Sequence, residues 1–110
     1  MDPRPGEVWL ADLGLAAKTR PVVIVSRYDP DPPRDLILYV PLTTQDRLSR
    51  YEIRLPKLAF LDRDSIANVQ GLGSLPKARL ERKLGVLPDG MMAEIIRALE
   101  FSLALPAQGG

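Results

Sequence analysis

The chain has 110 residues, 45% of them hydrophobic and 26% charged, with a formal net charge of +1; a domain of that length buries roughly 65% of the surface its unfolded form exposes, enough to fold without staples. It contains neither cysteine nor histidine, which excludes disulfides, thiolate nucleophiles, the common zinc motifs and any imidazole acid or base. No apolar run approaches the roughly 20 residues of a membrane span, and the start, Met-Asp-Pro-Arg-Pro-Gly, lacks the apolar core of a signal peptide, so a soluble, cytoplasmic protein folded as a single domain over residues 1–110 is expected.

The charge is unevenly spread. Residues 41–83 carry nine Lys/Arg against five Asp/Glu, whereas residues 1–40 carry five against six and residues 84–110 one against three. A positive middle segment suits a polyanionic partner, and suits an ordinary solvated surface equally well.

In chain order, Pro5-Gly6 is a turn signal, and Glu7 to Asp12 after it has the composition of a first strand, with Trp9 the sole indole. Gly14 to Thr19 reads as a short loop of small residues. Pro21 to Ser26 is a continuous apolar run rich in Val and Ile and too short for a typical helix, hence a central second strand. Pro21 fixes its own backbone and pushes Arg20 toward an extended conformation, so Arg20 is held at the mouth of a rigid strand. A guanidinium in that position is suited to gripping a phosphate with its planar fork; a surface ion pair is the plainer reading. Arg27 to Arg34, with Asp29-Pro30-Asp31-Pro32-Pro33, is a loop.

Leu36 to Leu42 is a second continuous apolar run, a third strand in which Pro41 marks an edge, a bulge or an end, with a bend expected near Thr43 and Thr44. Tyr51 to Leu55 alternates: Tyr51, Ile53 and Leu55 share one face, Glu52 and Arg54 the other. Ser65 to Val69 is a fifth strand, with Gly71 and Gly73 permitting a kink or continuation. Ser74-Leu75-Pro76 then offers a cap and an early proline for a short helix over about Lys77 to Lys83, ended at Gly85. Pro88-Asp89 opens a long helix to about Leu103, with an apolar stripe of Met92, Ile95, Ile96, Leu99 and Leu103 and with Glu94, Arg97 and Glu100 opposite. Phe101 falls among the polar residues, as an exposed aromatic or as the mark of a partner surface. Five main strands, a short helix and a C-terminal helix make a mainly β (α+β), barrel-like domain.

Several motifs occur in an order that points to a known family. Pro5-Gly6-Glu7-Val8-Trp9 with Asp12-Leu13, Arg20-Pro21-Val22-Val23-Ile24-Val25-Ser26, Pro41-Leu42-Thr43-Thr44, Asp64-Ser65 with Gln70, and Lys83-Leu84-Gly85 before the helix resemble the MazF/PemK toxins of bacterial toxin–antitoxin systems. The resemblance spans about Pro5 to Leu105. It implies an SH3-like barrel that forms a homodimer, cleaves single-stranded RNA without a metal or other cofactor, causes growth arrest, and is neutralised by a cognate antitoxin that covers the RNA site. It also implies that Arg20 and Thr43 are the catalytic pair, with Thr44 the alternative threonine, and that Gln70 contacts RNA. Lys18, Thr44, Arg47 and Arg79 complete the expected substrate-binding set. The chain departs from the family pattern in a short, acid-free loop before Arg20 and in Val69, which stands where some members carry an Asp, so the proton acceptor is left unassigned.

The chemistry of the residues is compatible with that implication. Attack of a 2′-hydroxyl on the adjacent phosphorus builds negative charge on phosphoryl oxygens, and preorganised donors are its first requirement. Arg20, always protonated, stabilises charge, and Thr43 orients a phosphate or hydroxyl. Asp62 and Asp64, with Asp46, can be drawn as a magnesium site, yet they lack a defined loop pattern and read as solvated acids. Arg50, Arg54, Lys77, Arg82 and Lys83 are further candidates for tracking a backbone, with plain solubility charges the alternative for most, and Tyr51 either stacks a base or fills the core. Two other readings stand beside the nuclease: a gyrase-poisoning relative that binds and cleaves nothing, and an inactive SH3-like adaptor. The first is weakened by the ending Ala-Gln-Gly-Gly, where such relatives carry Trp-Gly-Ile.

Overall fold

In the computed structural model, residues 2–14 and 18–106 are described. Seven strands and one helix follow in order: β1 (Glu7–Asp12), β2 (Thr19–Ile24), β3 (Leu36–Thr43), β4 (Glu52–Arg54), β5 (Ile66–Asn68), β6 (Gly73–Pro76), β7 (Leu80–Val86) and α1 (Asp89–Ser102). Every pairing is antiparallel. The hydrogen-bonded path runs β4-β5-β3-β2-β1-β7, with β6 on β3. Its two ends, β4 and β7, are not paired with each other, so the barrel-like sheet is open. No described helix is long and apolar enough to cross a membrane.

The continuous apolar runs of β2 and β3 are explained by burial on both faces. Val23, Val40 and Leu42 join one cluster with Val8, Ile95 and Ala98, under the helix. Val22, Ile24 and Ile37 join a second cluster with Trp9, Leu75 and Leu80 on the opposite face. A strand with core on either side loses the polar alternation of a surface strand, which is why these segments read as uniform.

Pro41 lies inside β3, opposite Val22. On its other edge β3 pairs with β6 through Tyr39 and with β5 from Leu42 onward, so the proline falls at the handover between partners, where a missing N–H is tolerated. A Cβ on Gly71 would stand 2.6 Å from the Pro41 ring, so glycine is what admits the ring there. β3 ends at Thr43 and the chain bends at Thr44, as expected.

Three expectations need correction. The helix expected over Lys77 to Lys83 is a 3-10 turn, Lys77–Arg79, followed by β7, and Gly73–Pro76 before it is strand rather than cap. Lys77 to Leu84 is rich in good helix formers, but pairing with β1 over Leu80 to Val86 decides its conformation. The strand count is therefore seven, not five. β2 begins at Thr19 and ends at Ile24, two residues earlier at each end than the apolar run; of the loop expected over Gly14 to Thr19, residues 15–17 lie outside the described residues. On α1 the buried positions are Ile95 and Ala98, with Met91, Met92 and Leu99 against the core, while Ile96 and Leu103 face outward. The small Ala98, not a larger residue, is what lets the helix approach the sheet.

The amino-terminal end is tied by one half-buried carboxylate. Glu7 Oε1 accepts from Trp9 Nε1 at 2.9 Å and from the Arg4 N–H at 3.0 Å, and its Oε2 meets Lys83 Nζ at 3.0 Å. Burial alone would raise its pKa, but the hydrogen bonds from Trp9, Arg4 and Lys83, with the lysine's charge, together hold it below the ordinary 4.5. Because the folded value is the lower one, this contribution to stability is complete above the unfolded-state pKa and is lost as pH falls through the folded value. Denaturant titrations across the acid range are expected to show stability falling more steeply in the wild type than in Glu7→Gln, the two curves converging at low pH.

Candidate functional site

The register of β2 on β3 builds the site. Ile24 pairs with Tyr39, Val23 with Val40 and Val22 with Pro41. Carried on by two residues, that register sets Arg20 opposite Thr43, the last residue of β3. On its other side Arg20 pairs with Ala11 of β1, and Thr43 pairs with Ile66 of β5. Arg20 and Thr43 thus lie just beyond the last hydrogen-bonded pair of a hairpin in which Val22, Val23, Ile24 and Val40 are buried, with Pro41 and Tyr39 partly exposed. The β1–β2 connection that delivers Arg20 is closed by Leu13 N–H to the Lys18 carbonyl at 2.9 Å, with Lys18 in the left-handed region at φ 55°.

Two grooves meet on this rung, and Arg20, Leu42, Thr43 and Gln45 line both. The first, about 740 Å³, adds Thr44, Phe60, Asp62, Arg63 and Arg82. The second, about 560 Å³, adds Arg47, Tyr51, Glu52, Asn68 and Gln70. Their chemistry differs. The first holds three guanidiniums, an environment for phosphate. The second offers amide side chains and one aromatic ring, groups that read and stack bases. Both volumes lie within the usual range of ligand sites.

Local hydrogen bonds orient these groups. Thr43 Oγ1 accepts from the Gln45 N–H at 3.2 Å, which fixes the hydroxyl oxygen and leaves its O–H to donate elsewhere. Asn68 Oδ1 accepts from the Gln70 N–H at 3.1 Å and starts the 3-10 turn Val69–Gly71 that presents Gln70. Glu52 organises the loop before β4: it accepts from the Ser49 hydroxyl at 2.8 Å and from the Ser49 and Arg47 N–H groups at 3.2 Å. These bonds, the Ser49 hydroxyl foremost, hold its carboxyl below the ordinary value. In the same loop Asp46 takes the Leu48 N–H at 2.8 Å and pairs with Arg54, and its pKa is lowered accordingly.

Of the residues expected at the site, Arg20, Thr43, Thr44, Arg47 and Gln70 come together around the two grooves. Lys18 and Arg79 lie outside both; Arg79 stands 4.0 Å from Asp12, on the β1–β2 side of the molecule. The three acids drawn as a magnesium site do not assemble: Asp62 lines the first groove, Asp46 is bound to Arg54, and Asp64 lines neither groove. Among the described residues no three His, Cys, Asp or Glu side chains gather as a metal-binding group. Tyr51 packs against the core, one of the two roles weighed for it, and also lines the second groove. Phe101 is neither loose nor buried: its ring lies 5.2 Å from that of Tyr51, with the Arg50 guanidinium 3.8 Å over it, so the helix end packs on the turn that leads into β4.

Residues 4–103 match the PemK-like, MazF-like toxin of type II toxin–antitoxin systems. The chain belongs to this toxin family. Among solved structures it is similar to an endoribonuclease in complex with its cognate antitoxin from a mycobacterial species, at 27% identity and TM-score 0.83, over 96% of this chain and 99% of that one. A second mycobacterial endoribonuclease aligns at 26% identity and TM-score 0.81, covering 96% and 95%. The fold is also that of MazF in a MazE–MazF complex from Deinococcus radiodurans, at 21% identity and TM-score 0.77, covering 96% and 100%.

Sequence reasoning named Arg82 only as one cation among many and missed Gln45, Phe60 and Arg63. Arg82 is placed by pairing with Leu10, invisible while its segment read as helix. Phe60 is placed by Gly85, where a Cβ would stand 2.3 Å from the ring, so the glycine that seemed a helix stop is the bed of a groove wall in this toxin. Gly85→Ala is expected to displace that ring and destabilise the fold by about 1–3 kcal/mol. In a double-mutant cycle by denaturant unfolding, much of that cost should vanish in a Phe60→Ala background; a fully additive cycle would show that Gly85 serves another purpose.

Proposed function

We propose that this toxin is an endoribonuclease that cleaves single-stranded RNA sequence-selectively and without a metal, by attack of a 2′-hydroxyl on the adjacent phosphate. The observation that carries the reading is that Arg20 and Thr43 together line two grooves, one with Arg63 and Arg82 and the other with Arg47, Tyr51, Asn68 and Gln70. The names of the two mycobacterial relatives support it.

The scissile phosphate sits at the rung. Arg20 donates to its nonbridging oxygens as charge builds in the transition state, in a place where strand pairing has already removed the cost of ordering the backbone. Thr43, its oxygen fixed by Gln45, donates the free O–H to the same phosphate or to the entering hydroxyl. Arg63 and Arg82 neutralise the flanking phosphates along the first groove, which accounts for the basic middle of the chain. Arg47, Gln70, Asn68 and Tyr51 bind the neighbouring bases in the second. Which bases are accepted depends on the loop that Asp46 and Glu52 hold in shape. A homodimer and a cognate antitoxin covering the same grooves complete the proposal, and the cytoplasm, where the RNA lies, is its place of action.

Incubation of the purified protein with a long RNA in EDTA tests the reading: cleavage leaving 2′,3′-cyclic phosphate and 5′-hydroxyl ends is expected. Arg20→Ala should keep its fold by circular dichroism and lose both cleavage and growth arrest. Thr43→Ala should lower the rate roughly 100- to 1000-fold, the usual loss for one transition-state donor. An intact wild type that leaves RNA whole, with or without divalent metal, would favour the gyrase-poison or adaptor reading instead.

A further inference from the structure

Transfer of the 2′-hydroxyl proton needs an acceptor, and the chain has no histidine. The acceptor must stand at the rung, where the scissile phosphate is placed. Among the described residues two carboxylates line the grooves that meet there, Glu52 and Asp62. Glu52 is committed: both of its oxygens accept from the Ser49 and Arg47 backbone and the Ser49 hydroxyl, which lowers its proton affinity and fixes it in a structural role. Tyr51, in the same groove as Glu52, packs its ring against the core and against Phe101.

Asp62 differs on each count. It lines the cationic groove together with Arg20 and Thr43 and is the sole carboxylate among that groove's described lining residues. Its side chain makes none of the hydrogen bonds or ion pairs that occupy Glu52 and Asp46. It is nevertheless well placed, because the chain is anchored on either side of it. Leu61 before it is buried and its N–H meets the Leu58 carbonyl at 3.1 Å. Ser65 after it is buried, its carbonyl accepting from the Leu55 N–H at 2.9 Å and its hydroxyl bonding the Arg63 carbonyl at 3.1 Å. The Phe60 ring is bedded on Gly85. An exposed carboxylate on a loop pinned at both ends is preorganised without being desolvated.

Building on the nuclease reading above, we propose that Asp62 is the general base of this toxin. The Asp62 carboxylate takes the proton from the 2′-hydroxyl as the O2′–P bond forms, the P–O5′ bond breaks, the departing 5′-oxygen takes a proton from water, and Asp62 returns its proton to solvent. No electrons are exchanged with a cofactor, and the products are a 2′,3′-cyclic phosphate and a 5′-hydroxyl. The charged groups facing Asp62 in the groove are Arg20 from β2, Arg82 from β7 and Arg63 from its own loop.

Asp62→Asn tests this. The variant should match the wild type in circular dichroism and melting, and should bind an RNA with a 2′-deoxy residue at the cleavage site at least as well. Its single-turnover cleavage should fall about 100- to 10,000-fold. The wild-type rate should drop on acidification as a carboxylate takes up its proton, and that limb should be missing from the Asp62→Asn profile, with Asp62→Glu restoring part of the rate and the limb. A wild type that cleaves alongside an Asp62→Asn variant within a few-fold of it, with the acid limb intact, overturns the assignment and leaves the nuclease reading standing. A wild type that cleaves no RNA overturns both.

Discussion

The register between β2 and β3 is the constraint on which everything else in this protein depends. A shift of one residue would turn every side chain of a strand to the opposite face. Here each face of both strands is occupied: Val23 and Val40 lie under the helix, Val22 and Ile24 over Trp9 and Leu75. A slip would push well-packed side chains into the wrong cluster on both sides at once, and one-sided sheets carry no such double penalty. The pairing is therefore among the most firmly determined features of the molecule, and it is this pairing that sets Arg20 across from Thr43. Positional accuracy at the rung is a by-product of core packing two residues away.

The same arrangement explains why the site lies at the end of the hairpin. Along the inner rungs Val22, Val23, Ile24 and Val40 are buried, which leaves little room for a nucleotide beside them. Beyond the last pair β3 ends at Thr43, the chain bends at Thr44, and two grooves open that share Arg20, Leu42, Thr43 and Gln45. A side chain there is held by buried neighbours and still reaches solvent on two sides. An arginine is long enough to take part in both grooves, as Arg20 does. A phosphate bound at the rung would then have cations along its backbone on one side and base-reading groups on the other.

How much of this could be read from the chain follows from where the information lies. Pro21 and the Val-Val-Ile run announce a rigid central strand, and Arg20 before it stands out on those grounds alone. Thr43 does not: as an isolated residue it is one more β-branched strand position, and only the family resemblance, or the β2–β3 register, sets it apart. The alternation of Tyr51 to Leu55 and the start of α1 at Pro88-Asp89 were equally legible, because each depends on neighbours in sequence. β7 was not. Lys77 to Leu84 has helix-forming residues and a proline near its start, and its strand conformation comes from β1, about 70 residues earlier in the chain. Reading it as helix also hid Arg82, which only a strand brings beside Leu10, and disguised Gly85, whose reason for being glycine is the Phe60 ring. On α1 the wheel placed Ile96 inward because it is apolar, whereas the helix is turned so that Ala98 meets the sheet; closeness of approach outweighed the size of the side chain.

A protein without histidine or cysteine has few ways to move protons near neutral pH, and the division of its acids follows from that. Glu7, Asp46 and Glu52 each accept several hydrogen bonds, and each is held below its ordinary pKa by them. Such a carboxylate is a good fastener and a poor base, since what stabilises its charge also weakens its hold on a proton. An acid reserved for proton transfer should instead be placed by its backbone and left alone at its oxygens, and Asp62 is the groove carboxylate that meets both conditions. A carboxylate is still a weaker base than imidazole. In the proposed reaction the surrounding cations would compensate on the other side: Arg20, Arg63 and Arg82 would stabilise the charge that the phosphoryl oxygens gain, which would lower the demand on the base. In the proposed chemistry the basic middle of the sequence and its missing histidine would then belong together, charge stabilisation relieving a carboxylate of part of the work that an imidazole would do.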